Sequence, residues 1–251
     1  MNATIKKLKC GNDLCIIDIE NIDTALKTSL DNKFIKICEG NVTVDLNGVK
    51  QRVVNYLTPK KGRTLEMGAI AEFFIHLYLN EEGFEPQFLF FNLEENSIKK
   101  GFDGYYFHDK EEWILESKSG MSTTAGVSHG SKVKESYNDL KEKLAGNTPN
   151  NPWREAYNHA SHIDVGANSN VRANIKKFTV EFDTKVYHKI NDFNIIPGST
   201  IFLNGTWTAT DTATLETEIE NTISKFDFKK IKIVCVTKKS LQLFWQYLTT
   251  P

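Results

Sequence analysis

The residues best suited to chemistry lie in one stretch, residues 101–120, GFDGYYFHDKEEWILESKSG. Asp103 sits in a Gly-Phe-Asp-Gly turn, a β-hairpin pattern follows, and Glu116-Ser117-Lys118 closes it. Strand side chains alternate between faces, so Glu116 and Lys118 share a face with Ile114. A hairpin turning near residue 110 places the start of its first strand opposite the end of its second, which brings Asp103 to the same point. Two carboxylates and a lysine at one point suit phosphodiester hydrolysis. Magnesium keeps several waters and needs only one or two carboxylates, and it activates water and stabilises charge on the phosphate. Asp103 and Glu116 are the candidate ligands, with the main-chain carbonyl of Ser117 beside them; Lys118 would orient or activate the attacking water. An ordinary charged surface hairpin offers the same three residues. Against that reading, Trp113, Ile114 and Leu115 make the second strand look buried, and a buried Glu or Lys needs a partner.

The elements that must position these residues are legible in outline. Residues 64–80, TLEMGAIAEFFIHLYLN, read as a helix with Thr64 at its N-cap and a buried stripe of Ile70, Phe73, Phe74 and Leu77. Glu66, four residues before Ile70, continues that stripe inward and is the candidate to complete the acidic cluster; a first-turn glutamate also favours the helix dipole. Glu72, His76 and Asn80 share a different face, expected to be solvated. Strands are expected at 84–92, 102–108 and 113–118, with a polar loop at 94–100. After a small, polar loop at 120–130, residues 131–145 form an amphipathic helix with Val133, Tyr137, Leu140 and Leu144 on one side. A helix at 153–163, a loop at 164–170, and strands at 178–186 and 200–204 follow. Then come a helix from Asp211 with Leu215, Ile219, Ile223 and Phe226 on its stripe, a buried strand at 230–237 and a closing helix at 239–248. Residues 1–58 read as a strand-rich extension, with strands at 14–19 and 33–39 and a hairpin at 41–49 turning at Asn47-Gly48. The break PKKGR at 59–63 separates it from a domain spanning 59–251. The order of elements predicts an α/β fold with a mixed sheet flanked by helices.

At 251 residues the chain is long enough for one large domain, and with 40% hydrophobic residues it can bury a substantial core. No apolar run is long enough to span a membrane and the N-terminus lacks a signal-peptide pattern, so a cytoplasmic location is expected. The cysteines, Cys10, Cys15, Cys38 and Cys235, form no CxxC pair and are read as free thiols. A net charge of −1 gives no global attraction for nucleic acid. Local candidates for phosphate contacts are Lys132 and Lys134 after the loop, and Lys60, Lys61 and Arg63 before the first strong helix; a solvated charge cluster is the plainer reading of the latter three. Phe244, Trp245 and Tyr247 are read as core, and His159 and His162 lack an evident third ligand.

A helix glutamate (Glu66), then Asp103, then Glu116-Ser117-Lys118 at a strand end resembles the PD-(D/E)xK nuclease superfamily, with Phe102 where the motif usually has proline. More narrowly, GFDG, WILESKSG, an amphipathic helix and the late strand FKKIKIVCV are similar to the HamA-like nuclease subunit of Hachiman anti-phage systems. The likeness is best over residues 64–144 and leaves 1–58 unanchored. It implies a restriction-endonuclease-like core and a Mg2+-dependent deoxyribonuclease, with Mn2+ as substitute. Asp103, Glu116, Lys118 and Glu66 would be catalytic, and Asp103, Glu116 and Glu66 metal-binding. It also implies a superfamily 2 helicase partner in a heterodimer acting on DNA. Two rival readings remain at this stage: a silent nuclease-fold subunit that binds nucleic acid or docks the helicase, and a stand-alone restriction endonuclease.

Overall fold

The computed structural model describes residues 1–90 and 101–250. The strands are β1 (Thr4–Lys7), β2 (Asp13–Ile19), β3 (Glu85–Pro86), β4 (Gly104–His108), β5 (Glu111–Met121), β6 (Asn194–Phe202) and β7 (Lys230–Lys238). They form one mixed sheet in the order β1-β2-β7-β6-β5-β4-β3. β2, β7, β6 and β5 run parallel, and antiparallel pairs close both edges. Parallel strands are covered on both faces and so read as apolar runs; every residue of β6 is buried. The helices are α1 (Thr24–Glu39), α2 (Leu46–Leu57), α3 (Thr64–Glu81), α4 (His129–Leu144), α5 (Pro152–Ala160), α6 (Ser169–Asp183), α7 (Thr212–Ile223) and α8 (Gln242–Thr249). They bury two apolar clusters. One joins α1, α2, α3 and α8 to one sheet face through Phe34, Phe73, Val234 and Phe244. The other joins α4 to α7 to the opposite face through Leu140, Trp153, Ile219 and Ile233.

The hairpin that carries the candidate residues forms, with its second strand starting at Glu111, two residues earlier than expected. Asp109 and Lys110 both take positive φ, 49° and 63°. That left-handed pair matches the twist of a two-residue hairpin turn. It fixes His108 opposite Glu111 and Gly104 opposite Leu115. Asp103, one residue before Gly104, therefore arrives beside Glu116 and Ser117.

Three segments expected as strands are helical. Residues 33–39 belong to α1, where Leu26, Leu30, Phe34, Ile37 and Cys38 are buried at helical spacing; a seven-residue window shows only the alternation. Residues 41–49 hold no hairpin. Asp45 caps α2 by accepting the Gly48 N–H, so Asn47-Gly48 lies in a first helical turn. Residues 178–186 fall largely in α6, whose buried stripe is Val171, Ile175 and Thr179. Of the strand expected at 84–92, residues 85–86 pair with β4; 91–92 and the loop at 94–100 lie outside the described residues. The other expected elements are present, β6 starting at Asn194, earlier than expected. β2 pairs with β7 along its full length, so the sheet runs through both segments on either side of residue 58. Cys10 is exposed and Cys15, Cys38 and Cys235 are buried, all as free thiols. No helix among the described residues is long and apolar enough to cross a membrane.

One buried cation stands out. Lys238, at the end of β7, is fully buried, and its Nζ has no hydrogen-bond partner. It lies 4.1 Å from the centroid of the Phe74 ring, and burial pushes its pKa down to about 7. A folded-state value below the unfolded one means that the unfolded chain binds more protons between about pH 7 and 10.5, so stability rises with pH across that window. Lys238→Met should raise stability at pH 7 by about 1–3 kcal/mol and flatten that rise. Urea titrations at pH 7 and pH 9.5 check both; an unchanged slope would remove Lys238 as its source.

Candidate active site

The centre of the site is the buried Glu116 with the partly exposed Asp103 beside it. Asp103 Oδ2 accepts from the Ser117 main-chain N–H at 2.8 Å and from its hydroxyl at 2.9 Å. Glu116 is 2% exposed. Lys118 Nζ donates to its Oε1 at 2.9 Å and Lys143 Nζ to its Oε2 at 2.6 Å. Lys118 also donates to Asp139, and Asp139 Oδ2 lies 3.6 Å from Lys143 Nζ. Asp139 and Lys143 sit four residues apart on α4, one helical turn, so both reach the same strand.

Burial and the neighbouring acids set the electrostatics. Burial pushes the Glu116 carboxyl up, the Asp103 charge adds to it, and the two lysines only partly offset them, leaving it at about 8. Asp103 is raised by burial and then by Glu72, with Lys143, Lys118 and Ser117 pulling the other way. For Asp139, burial is outweighed by its hydrogen bond with Glu116 and by both lysines, and it falls to about 2. Lys118 and Lys143 are held above the usual lysine value because Glu116 and its neighbours overcome burial. Both lysines are therefore charged, and each donates to one oxygen of the Glu116 carboxyl group.

The helix glutamate beside this centre is Glu72. It is buried, as are His76 and Asn80, which corrects the expectation of a solvated face. Glu72 Oε1 lies 3.2 Å from His76 Nε2, and His76 Nδ1 meets the Tyr106 hydroxyl. Through His76, Glu72 is linked to Tyr106 on β4, and after burial its charge is the next cause that raises Asp103. Glu66 is buried too, as expected, but its contacts lie at the helix start: the Gly62 N–H at 2.5 Å and the Trp245 indole N–H at 2.6 Å. The helix comes this close because two positions lack a Cβ. One at Gly104 would lie 3.2 Å from His76 Cε1, and one at Gly198 would lie 2.7 Å from Ile75 Cδ1.

Three contributors, Glu72, Asp139 and Lys143, were not singled out by sequence reasoning. For Glu72 a signal existed: α3 is buried almost all round from Ala69 to Asn80, so a polar stripe on it has no water to face. For Asp139 and Lys143 the cue was their one-turn spacing on a helix already known to be amphipathic. Of the candidate phosphate contacts, Lys134, Lys61 and Arg63 are exposed. Lys132 pairs with Glu135 at 2.6 Å and Lys60 lies 3.5 Å over the Tyr56 ring. Lys61 lies 5.1 Å from the Trp245 ring centroid. Phe244 packs on Phe34, Phe73 and Phe74, a core position as expected. His159 packs against Phe88.

Among the described residues, no three His, Cys, Asp or Glu side chains converge closely enough to enclose a metal ion. Asp103 and Glu116 are carboxyl groups present at the centre. That fits a hard cation such as magnesium, which takes one or two carboxylates and completes its shell with water and substrate oxygens.

A mixed seven-stranded sheet between helical layers, with carboxyl groups and lysines gathered where β5 meets α4, defines an α/β protein. The HamA family model matches residues 6–246, and the chain belongs to this family, the HamA-like family of Hachiman defence. No curated protein matches the chain.

The position of α4 rests on His129. Its Nδ1 lies 2.9 Å from Ser199 Oγ and its Nε2 3.1 Å from Thr237 Oγ1, tying the helix start to β6 and β7. Burial pushes its pKa down to about 4. The unfolded chain, with an ordinary histidine, binds the extra proton between about pH 6.5 and 4, so stability falls as pH drops through that window. From pH 7 to pH 5 the loss assignable to this residue should be about 2 kcal/mol. Denaturant titrations of wild type and His129→Gln at both pH values measure it; an equal drop in the variant would assign the loss elsewhere.

Proposed function

We propose that the chain is a metal-dependent nuclease of the PD-(D/E)xK type, the effector subunit of an anti-phage defence system, cutting DNA in concert with a helicase. The observation that supports this reading is that Asp103 is bonded to Ser117, the residue between Glu116 and Lys118, while Lys118 donates to the buried Glu116. Membership of the HamA family supports the defence role and the expectation of a partner.

Asp103 and Glu116 would hold the ion, which when bound supplies charge stabilisation at the phosphate and a more acidic water. The chain's own residues do the rest. Ser117 fixes the Asp103 carboxylate through two hydrogen bonds. Lys118, charged and a quarter exposed, reaches from the carboxylates toward solvent, where an attacking water and a phosphate oxygen arrive. Glu72 backs Asp103 and keeps the local potential negative. The exposed Lys134, Lys61 and Arg63 are the candidate grips on the backbone.

Glu116→Gln and Lys118→Met should each lower magnesium- or manganese-dependent plasmid cleavage, assayed with and without the helicase, by roughly 10²–10⁴-fold. Circular dichroism should stay unchanged. Cleavage equal to wild type in both variants would sink the assignment. A second reading, a subunit that binds nucleic acid without cutting it, draws on the engagement of both Glu116 oxygens by lysines. It predicts DNA binding with no cleavage under any of these conditions.

A further inference from the structure

Glu116 has two oxygens, and each is held by a different lysine from a different element. Lys118 is two residues along the same strand and takes Oε1. Lys143 comes from the last turn of α4 and takes Oε2 at 2.6 Å. The Lys143 side chain is 18% exposed, so its ammonium group sits at the mouth of the acid pair rather than in bulk water. Glu116 first, with Asp103 and Asp139 adding, keeps the Lys143 ammonium charged. Bonded to Glu116, it occupies a carboxyl oxygen that a metal ion would need. It also has somewhere to go: Asp139 Oδ2, one turn earlier on the same helix, lies 3.6 Å from Lys143 Nζ. A change of side-chain torsions is enough to move it from one carboxylate to the other, with no movement of α4.

We propose that Lys143 is an internal counter-ion that competes with the metal for Glu116, and that Asp139 is the alternative seat it takes when the metal binds. This rests on the reading of Asp103 and Glu116 as metal ligands and adds to it a regulatory element. The resting site is neutralised from within, so metal occupancy is weakened by the cost of moving Lys143. Anything that draws Lys143 toward Asp139 or toward a phosphate strengthens metal binding. A polyanionic strand entering the site does so directly, which couples substrate and metal in the same direction.

The test is Mn2+ binding to the full chain by calorimetry, with thermal unfolding as a second readout, on wild type, Lys143→Met, Lys143→Gln, Lys143→Arg, Asp139→Asn and Glu116→Gln. Lys143→Met and Lys143→Gln should bind Mn2+ tighter by on the order of ten-fold, the equivalent of one charged hydrogen bond no longer broken. Both should melt lower than wild type without metal and show a larger metal-induced rise. Lys143→Arg keeps the charge and should bind as wild type does. Asp139→Asn removes the alternative seat and should bind more weakly. Lys143→Gln retains a hydrogen-bond donor, so it reports even if the methionine variant does not fold. Equal or weaker binding in both neutral variants, with Glu116→Gln abolishing binding, would overturn the counter-ion role and leave the ligands standing. Binding unaffected by Glu116→Gln, or absent throughout, would overturn both.

Discussion

Glu116 is buried beside the partly exposed Asp103, and burial first and the Asp103 charge second raise the cost of ionising it. A carboxylate taken out of water needs hydrogen bonds and opposite charge, or it takes up a proton instead. The surrounding structure supplies those partners from three elements. β5 contributes the Ser117 N–H, the Ser117 hydroxyl and Lys118. α4 contributes Lys143 directly, and Asp139 to hold both lysines. α3 contributes more negative charge through Glu72, the opposite of what stability alone would ask for. Acids gathered against their electrostatic interest are a feature of sites that handle cations or protons.

Backbone geometry makes the gathering possible. The hairpin turn at Asp109 and Lys110 sets the register that puts Asp103 next to Glu116. Gly104 and Gly198 remove the side chains that would hold α3 away from the sheet. On the other face, Ser136 donates to the Gly198 carbonyl at 2.8 Å and His129 binds β6 and β7, which seats α4 close enough for its short polar turn to reach β5. The two helices thus press on the sheet from opposite faces at the same pair of strands. Two-sided packing of this kind leaves the acids little room to relax away from each other.

Much of this was legible in the chain. The β5 pattern, with Trp113, Ile114 and Leu115 ahead of Glu116 and Lys118, identified a buried strand carrying charge, and the hairpin register followed from turn position alone. The mixed sheet and its helical layers followed from the order of elements. Errors came where a short window showed two periods at once. KFIKICE alternates, yet Phe34, Ile37 and Cys38 continue a stripe begun at Leu26 that only a longer window reveals. Residues 178–186 alternate likewise, while Val171 and Ile175, outside that window, set the helical stripe. Asn47-Gly48 is a strong hairpin signal locally, but Asp45 three residues before Gly48 is a helix cap, and the cap prevailed. Glu66 and Glu72 raise a different difficulty. Both are buried; what separates them is their partners, Trp245 from the far end of the chain for Glu66 and, for Glu72, His76, which in turn meets Tyr106 on β4. Partners that distant in sequence leave no local trace.

On the nuclease reading, a chain with net charge −1 would have to serve a polyanionic substrate. Within the centre, Asp103, Glu116 and Asp139 face Lys118 and Lys143, so the lysines are committed to carboxylates and offer little free positive potential. On that reading, attraction for phosphates would come from cations outside the centre, among them the exposed Lys61 and Arg63 before α3, while Lys60 stacks over Tyr56. Holding and cutting would then be separate: a few exposed cations would contribute modest, salt-sensitive affinity, and the centre would serve the metal. A helicase that itself grips the strand would supply the remaining affinity, and the small basic surface of this subunit is what that division of labour requires.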